Sequence, residues 1–363
     1  MAFEPPAAGH PGPGPDEGFP PAEAGAPAGE SPWRIAYRRL LRNRIALAFL
    51  GLFFLIVVFV LAAPIWATHV AHTGPNTTHT LEKISVNGET KEVVEPSGRP
   101  IGPVWLGAGG KFFFGADGRL GRDEMVRLMY GGRTSLLIGF SSALITIVFA
   151  IVLGLLAGYY KGATDSVIAR AMDVLWAIPV LLLAIALGTA LAVGGLRIGP
   201  IHVAGNSLLI PILIIGFVSI PYIARPIRGE VLSLREKEFV EAAVAQGASA
   251  RRIMFVELLP NLWSTIIVFF TITIANNMLI ESALSFLGAG VRPPNSSWGS
   301  MISEGSDLIY SAPLLSILPG AMVLLTVLSL NVFGDGLRDA LDPRAKVRLE
   351  VTAAQAGPEG AAI

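Results

Sequence analysis

The sequence predicts an all-α polytopic membrane protein with six transmembrane helices. Three observations carry that prediction. Of 363 residues, 52% are hydrophobic and 15% charged, against about 25% charged in a soluble domain. Six runs are long and apolar enough to cross a bilayer, since ~20 helical residues at 1.5 Å rise span the ~30 Å hydrocarbon layer. These runs are continuous and do not alternate, which points to helices and not to a barrel. The formal net charge is zero, so no basic bias points to nucleic acid. There is no cysteine, which removes disulfides, thiolate catalysis and thiolate metal sites.

Residues 1–32 hold nine prolines, five acidic residues and no Lys or Arg. A secretory signal would begin with positive charge followed by an apolar run. The segment instead reads as a disordered Pro/Gly/Ala-rich tail, too poor in large apolar groups to offset its ordering entropy. Residues 33–66 combine a basic segment with the first span, Ile45–Trp66. The remaining spans are Ser135–Tyr159, Val174–Val193, Ser207–Ile227, Leu262–Leu287 and Leu314–Phe333. The last five form a core over residues 135–335, followed by a tail, 336–363.

Orientation follows from Lys and Arg in the short flanks. One side carries Arg34, Arg38, Arg39, Arg42 and Arg44, then Lys161 and Arg170. It also carries Arg228, Arg235, Lys237, Arg251 and Arg252, and finally Arg338, Arg344, Lys346 and Arg348. The opposite short loops carry Arg197 and Arg292. The long 67–134 loop has eight basic residues, but long loops translocate largely regardless of charge. Both termini are therefore expected in the cytoplasm and the 67–134 loop outside. Within it, "LEKISVNGETKEVV" reads either as two strands around Asn87-Gly88, a pair suited to a type I′ turn, or as an irregular loop.

An amphipathic stretch, "EFVEAAVAQGASARRIMFVELLPN", Glu238–Asn261, interrupts the apolar runs on the expected cytoplasmic side. Its first part has good helix formers, and Phe239, Ala242, Ala243 and Gln246 share one face. Gly247 is placed to stop that helix. Ser249 is placed to cap a second one, "ARRIMFVELL", and Pro260 then precedes the fifth span.

The spacing of Glu241-Ala242-Ala243, then Gly247, then Leu259-Pro260 resembles the "EAA" motif of ATP-binding cassette importer permeases. Glu257 departs from the general motif, which often has Ile there. Three further blocks resemble the peptide-transporting branch: "FGADGRLGRDEMVRLMYGGRTSLLIG", "SALSFLGAGVRPPNSSWGSMI" and "LNVFGDGLRDALDPR". So does the arginine-rich "SPWRIAYRRLLRNRIAL". Over residues 31–345 the chain is similar to the C-type permease subunit of dipeptide, oligopeptide and nickel importers.

That resemblance implies an ABC importer type I permease fold with the coupling helix in region 235–260. It implies that Glu241, Ala242, Ala243, Gly247, Leu259 and Pro260 couple to a separate ATPase. A homologous second permease would complete the pathway as a heterodimer. Two ATPase subunits would bind below and a solute-binding protein above. The implied cargo is di- or oligopeptides, with nickel or another small solute as the alternative within the family. A stand-alone secondary transporter is the alternative of a different class. It needs an inverted repeat or polar filter, which the sequence does not display.

The chain is expected to be no enzyme and to hold no cofactor, with ATP and Mg used by the partner ATPases. A phosphate-cradling loop needs Gly, four residues, then Gly-Lys-Ser/Thr, and "GAGGKF" before Phe113 lacks both the first Gly and the hydroxyl. Asn277 and Glu281 are the candidates for the translocation path, because polar and ionisable groups in a span default to function. Hydration at the interface, or a hydrogen bond to a neighbouring helix, would explain Glu281 equally. His69, His72 and His79 read either as a Ni²⁺ or Zn²⁺ site or as ordinary loop histidines. No acidic residue is read as completing a shell, so no metal site is assigned. Asp165, Asp173 and Asp335 read as helix caps or arginine partners.

Overall fold

The computed structural model describes residues 32–341. The tails expected before Pro32 and after Leu341 lie outside the described residues. A basic helix α1 (Pro32–Arg42) leads into α2 (Arg44–Leu61). Asn43 joins them as an N-cap, its Oδ1 accepting from the Ala46 amide at 3.0 Å. After a turn at Ala62, α3 (Ala63–His69) begins with Pro64 in its first turn, where the missing N–H leaves no bond unmade. The first apolar run is thus two helices.

Strands β1 (Lys83–Val86) and β2 (Glu89–Glu92) pair antiparallel, Val86 opposite Glu89. Asn87 and Gly88 between them have φ of 51° and 89°. The composition allowed either hairpin or irregular loop, and this turn geometry makes the hairpin. It closes over a small core of Ile84, Val93, Val104 and Phe112.

Helix α4 (Glu124–Tyr160) is 37 residues long and starts eleven residues before the expected Ser135. Asp123 sets that start, accepting from the Val126 amide at 3.0 Å. The polar residues of 124–134 did not read as membrane, yet helical hydrogen bonding continues through them. The expected third span, Val174–Val193, is not one helix. It divides into α5 (Gly162–Ala177) and α6 (Val180–Gly194), bent by 83°. Pro179 causes the break by forcing Ile178 into an extended conformation, ψ 128°.

A short hairpin, β3 (Leu196–Ile198) and β4 (Ile201–Val203), joins this pair to the next. The fourth run is also bent, by 40°, between α7 (Leu209–Val218) and α8 (Ile220–Arg235), with Pro221 in the first turn of α8. Among the described residues, four unbroken helical stretches are long and apolar enough to span a bilayer, or up to six spans if each bent pair is one. Then come α9 (Glu238–Ala245), α10 (Ala250–Arg252) and a π-helical turn at 253–258, followed without a gap by α11 (Leu259–Phe286). Two helices follow, α12 (Trp298–Ser306) and α13 (Leu314–Leu341). α13 runs six residues past the expected core boundary at 335.

α4 is the centre of the bundle. Its Gly154 and Gly158 lie so close to α8 that an added Cβ would stand 2.6 Å from Ile227 and Val231. Small residues four apart let two membrane helices pack backbone to backbone. Asp165 on α5 takes a two-point bond from Arg228 on α8, and Asp173 pairs with Arg225, whose guanidinium lies 3.8 Å from the Trp176 ring centre. Both aspartates are therefore arginine partners, one of the two roles read from the sequence.

Candidate functional site

The coupling candidates sit where α8 leaves the bundle. The Arg235 guanidinium donates to the Tyr159 carbonyl at the end of α4, fixing where the chain turns. α9 then starts with Glu238 and Glu241 in its first turn, where carboxylates complement the helix dipole. The residue anchoring α9 is Val240, buried among Ile253, Met254 and Leu258. The face read from the sequence through Phe239, Ala242, Ala243 and Gln246 is mostly exposed. One aliphatic position decides which side goes in, and helical spacing alone does not single it out.

The end of α9 is a Schellman turn. The Ala248 amide donates to the Ala243 carbonyl at 3.0 Å, and the Gly247 amide to the Val244 carbonyl at 2.9 Å. Gly247 has φ of 75°, the left-handed conformation that glycine adopts without steric cost. Ser249 caps the following segment through Arg252. The second helix read from the sequence is not separate: its residues form the π-helical turn and merge with α11. Leu259 and Pro260 accordingly open α11 and do not precede it.

Glu241, Ala242, Gly247 and Pro260 are exposed, and Ala243 and Leu259 half-buried. Phe239, Val244, Phe255 and Val256 add exposed apolar surface to the same segment. The last three were missed, because an exposed apolar residue looks like core in a sequence. The Glu241 carboxylate has no hydrogen-bond or ion-pair partner among the described residues, and neither do the Arg251 and Arg252 guanidiniums.

Asn277 and Glu281 are brought together elsewhere, inside the bundle. Asn277 accepts from Ser219 at 2.9 Å and donates to Ser142 at 3.0 Å. Glu281, fully buried, accepts from Ser135 at 2.9 Å and Ser285 at 2.7 Å. Ser135 in turn accepts from the Trp298 amide at 3.2 Å. The two side chains tie α4 to α11, to the α7–α8 bend and to α12. Of the readings open for Glu281, the bond to a neighbouring helix is the one this geometry displays.

The histidines do not converge. His79 is held by Thr73 at 2.7 Å and by Glu82, the nearby carboxylate that the sequence reading had left out. Burial works to raise the Glu82 carboxyl, but Lys111 and His79 hold it below its ordinary value. Among the described residues no group of three His, Asp or Glu side chains is placed to hold a metal ion.

Broken apolar helices around buried polar contacts, with an amphipathic helix–turn exposed where α8 leaves the bundle, define a polytopic membrane protein. The family model described as binding-protein-dependent transport system inner membrane component matches residues 150–347. That of the N-terminal TM domain of oligopeptide transport permease C matches residues 31–80. The dipeptide transport system permease protein DppC of Alkalihalophilus pseudofirmus is 36% identical over 316 residues, 87% of this chain and 91% of that one. The glutathione transport system permease protein GsiD of Pectobacterium atrosepticum is 35% identical, covering 87% and 92%. The oligopeptide permease OppC of Haemophilus influenzae is 34% identical, covering 87% and 90%. Among solved structures, an inward-facing methionine ABC transporter, MetNI, superposes with a TM-score of 0.49 at 18% identity, covering 59% of this chain and 96% of that one.

The chain belongs to the binding-protein-dependent transport system inner membrane component family. It is a multi-pass permease subunit of an ABC importer, and such subunits work with separate ATPases and a binding protein.

Proposed function

We propose that the chain forms half of the pathway for di- and oligopeptides, paired with a homologous second permease and driven by two ATPase subunits that consume ATP and Mg. The chain itself holds no cofactor in this reading. The observation that carries it is the Schellman turn at Gly247, which presents Glu241, Ala242 and the apolar Phe239 and Val244 as an exposed docking element. The names of the relatives, for dipeptides, oligopeptides and glutathione, support peptide cargo. The Lys/Arg asymmetry supports cytoplasmic termini and a cytoplasmic α9, with the β1–β2 hairpin outside. Asn277 and Glu281 would then reach the path only if the bundle rearranges, which requires states separated by a few kcal/mol.

Proteoliposomes holding this chain, its partner permease, the ATPases and the binding protein should accumulate labelled peptide only with ATP. In the same system Glu241→Gln should weaken ATPase binding about tenfold to a hundredfold, the ~1.5–3 kcal/mol of a charged hydrogen bond. Parent-like affinity would make Glu241 an ordinary solvated helix charge. ATP-independent peptide accumulation would instead favour a secondary transporter.

Sidedness is checked with introduced cysteines, since the chain has none. Ser97→Cys, on the exposed loop after the hairpin, should react with an impermeant maleimide in intact cells. Ala242→Cys should react only after permeabilisation. The reverse pattern would invert the orientation.

A further inference from the structure

At the hairpin end of the bundle, a cavity of about 320 Å³ lies between the 117–122 segment, the start of α4, α12 and the first turn of α13. That volume suffices for one amino-acid-sized group. Its floor is charged. Arg127 donates to Asp117 at 2.8 Å and to Glu304 at 2.7 Å. Arg122 bonds the same two carboxylates. Asp117 also accepts from the Leu120 and Arg122 amides at 3.1 and 3.0 Å. At the rim, Arg119 is paired with Asp307.

Glu124 is left over. It is 2% exposed, it lines the cavity, and its carboxyl makes no hydrogen bond or ion pair among the described residues. Three carboxylates, Asp117, Glu124 and Glu304, face two guanidiniums, Arg122 and Arg127. The Glu124 carboxyl is the one of the three that no guanidinium bonds. Asp123 adds a further buried carboxylate next in the chain, bound by the Phe112 and Val126 amides. Its carboxyl is raised, chiefly by burial. The one other unpartnered buried group in the floor is a donor, the Arg127 Nε–H. Arg127 is three residues after Glu124 and so shares its helix face.

We propose that this cavity is a receptor for a primary ammonium group with a carbonyl beside it, as at the amino terminus of a peptide. The ammonium would pair with Glu124 and the neighbouring carbonyl would accept from Arg127 Nε. A buried carboxyl oxygen without a hydrogen bond is costly, so a donor is the complement this floor lacks, and a compact cation would also stabilise the ionised form. A divalent metal does not fit, because Ca²⁺ takes six or more oxygens and the Asp117 and Glu304 carboxylates are already bonded to arginines. A guanidinium fits poorly, since its five donors would meet a single open carboxylate. The walls, Leu120, Pro293 and Leu315, suit an aliphatic stem. The peptide source rests on the proposed cargo. The ammonium site does not, because the amino terminus of a docked protein has the same chemistry.

The test uses the assembled importer in nanodiscs without binding protein, titrated with radiolabelled trialanine amide and with its N-acetyl derivative. Saturable binding of the free amine, with acetylation weakening it at least about tenfold, is expected, as for loss of one charged hydrogen bond. Glu124→Gln should match the effect of acetylation. Lys83→Gln, on β1 and away from the cavity, should stay within about twofold. Equal binding of both peptides, no binding of either, or parent-like binding by Glu124→Gln would overturn the assignment. If Glu124→Gln fails to assemble, the comparison of the two peptides on the parent complex decides alone. Binding-protein docking that weakens at least about tenfold both in Glu124→Gln and on acetylation of the binding protein's own amino terminus would assign the site to that docked terminus and remove the free peptide as ligand. ATP-driven uptake by the same complex in proteoliposomes with binding protein separates the two readings: uptake without amine discrimination sinks the cavity and spares the cargo, and absent uptake sinks the cargo.

Discussion

Gly247→Val is expected to abolish most ATP-driven uptake while leaving the permease inserted and folded. The φ of 75° at this residue costs an L-residue about 1–2 kcal/mol, and a β-branched one more. Space is not the obstacle, because a Cβ there would meet no atom within 4 Å. The strain is therefore relieved locally, by unwinding the Schellman turn and reorienting α9 against the π-helical turn. The core is untouched, since Val240 anchors α9 before the turn. Uptake falling at least about tenfold, with unchanged thermal unfolding, is the predicted pair of results. Gly247→Asn is the companion variant, because Asn tolerates the left-handed region, and it should retain most uptake. Parent-like uptake by the valine variant would remove the turn from the coupling mechanism.

Trp298→Ala should be the most destabilising single change at the opposite end. Trp298 is fully buried, its Nε1 donates to the Leu128 carbonyl at 2.9 Å, and its amide donates to Ser135. The ring lies against the bare backbone of Gly132, where an added Cβ would be 2.5 Å from it. A cavity of that size costs ~3–5 kcal/mol, and the unfolding midpoint in detergent should fall by about 10 °C. A midpoint within about 2 °C of the parent would mean that α12 is held by other contacts.

Much of this was legible in the sequence because it depends on local chemistry. Asn87-Gly88 made its turn because both residues tolerate positive φ, and Gly247 stopped its helix for the same reason. Pro179 could have located the bend at Ile178, but a composition window averages across a single residue and drew one span there. The start of α4 at Glu124 was hidden by polar residues that are buried only because distant ones meet them: Arg127 finds Glu304, 177 positions on. Of the serines bound to Glu281 and Asn277, Ser285 is four residues on in the same helix, but Ser135, Ser142 and Ser219 come from other elements, which no spacing rule connects. The unpaired state of Glu241 is visible only once its neighbours have been placed.

The length of α4 has a mechanical corollary. Thirty-seven residues at 1.5 Å each make a rod of about 55 Å. Its first turn carries the charged floor beside Glu304, and its last turn holds the Arg235 guanidinium that sets the exit toward α9. A stiff rod cannot absorb a push by bending in the middle. A tilt of about 5° at one end sweeps the other through about 5 Å, close to one helical pitch. The glycine seam against α8 lies in the last two turns of α4, so as a fulcrum it would give a short arm toward α9 and a long one toward Glu124, and leverage would join the two ends of the protein.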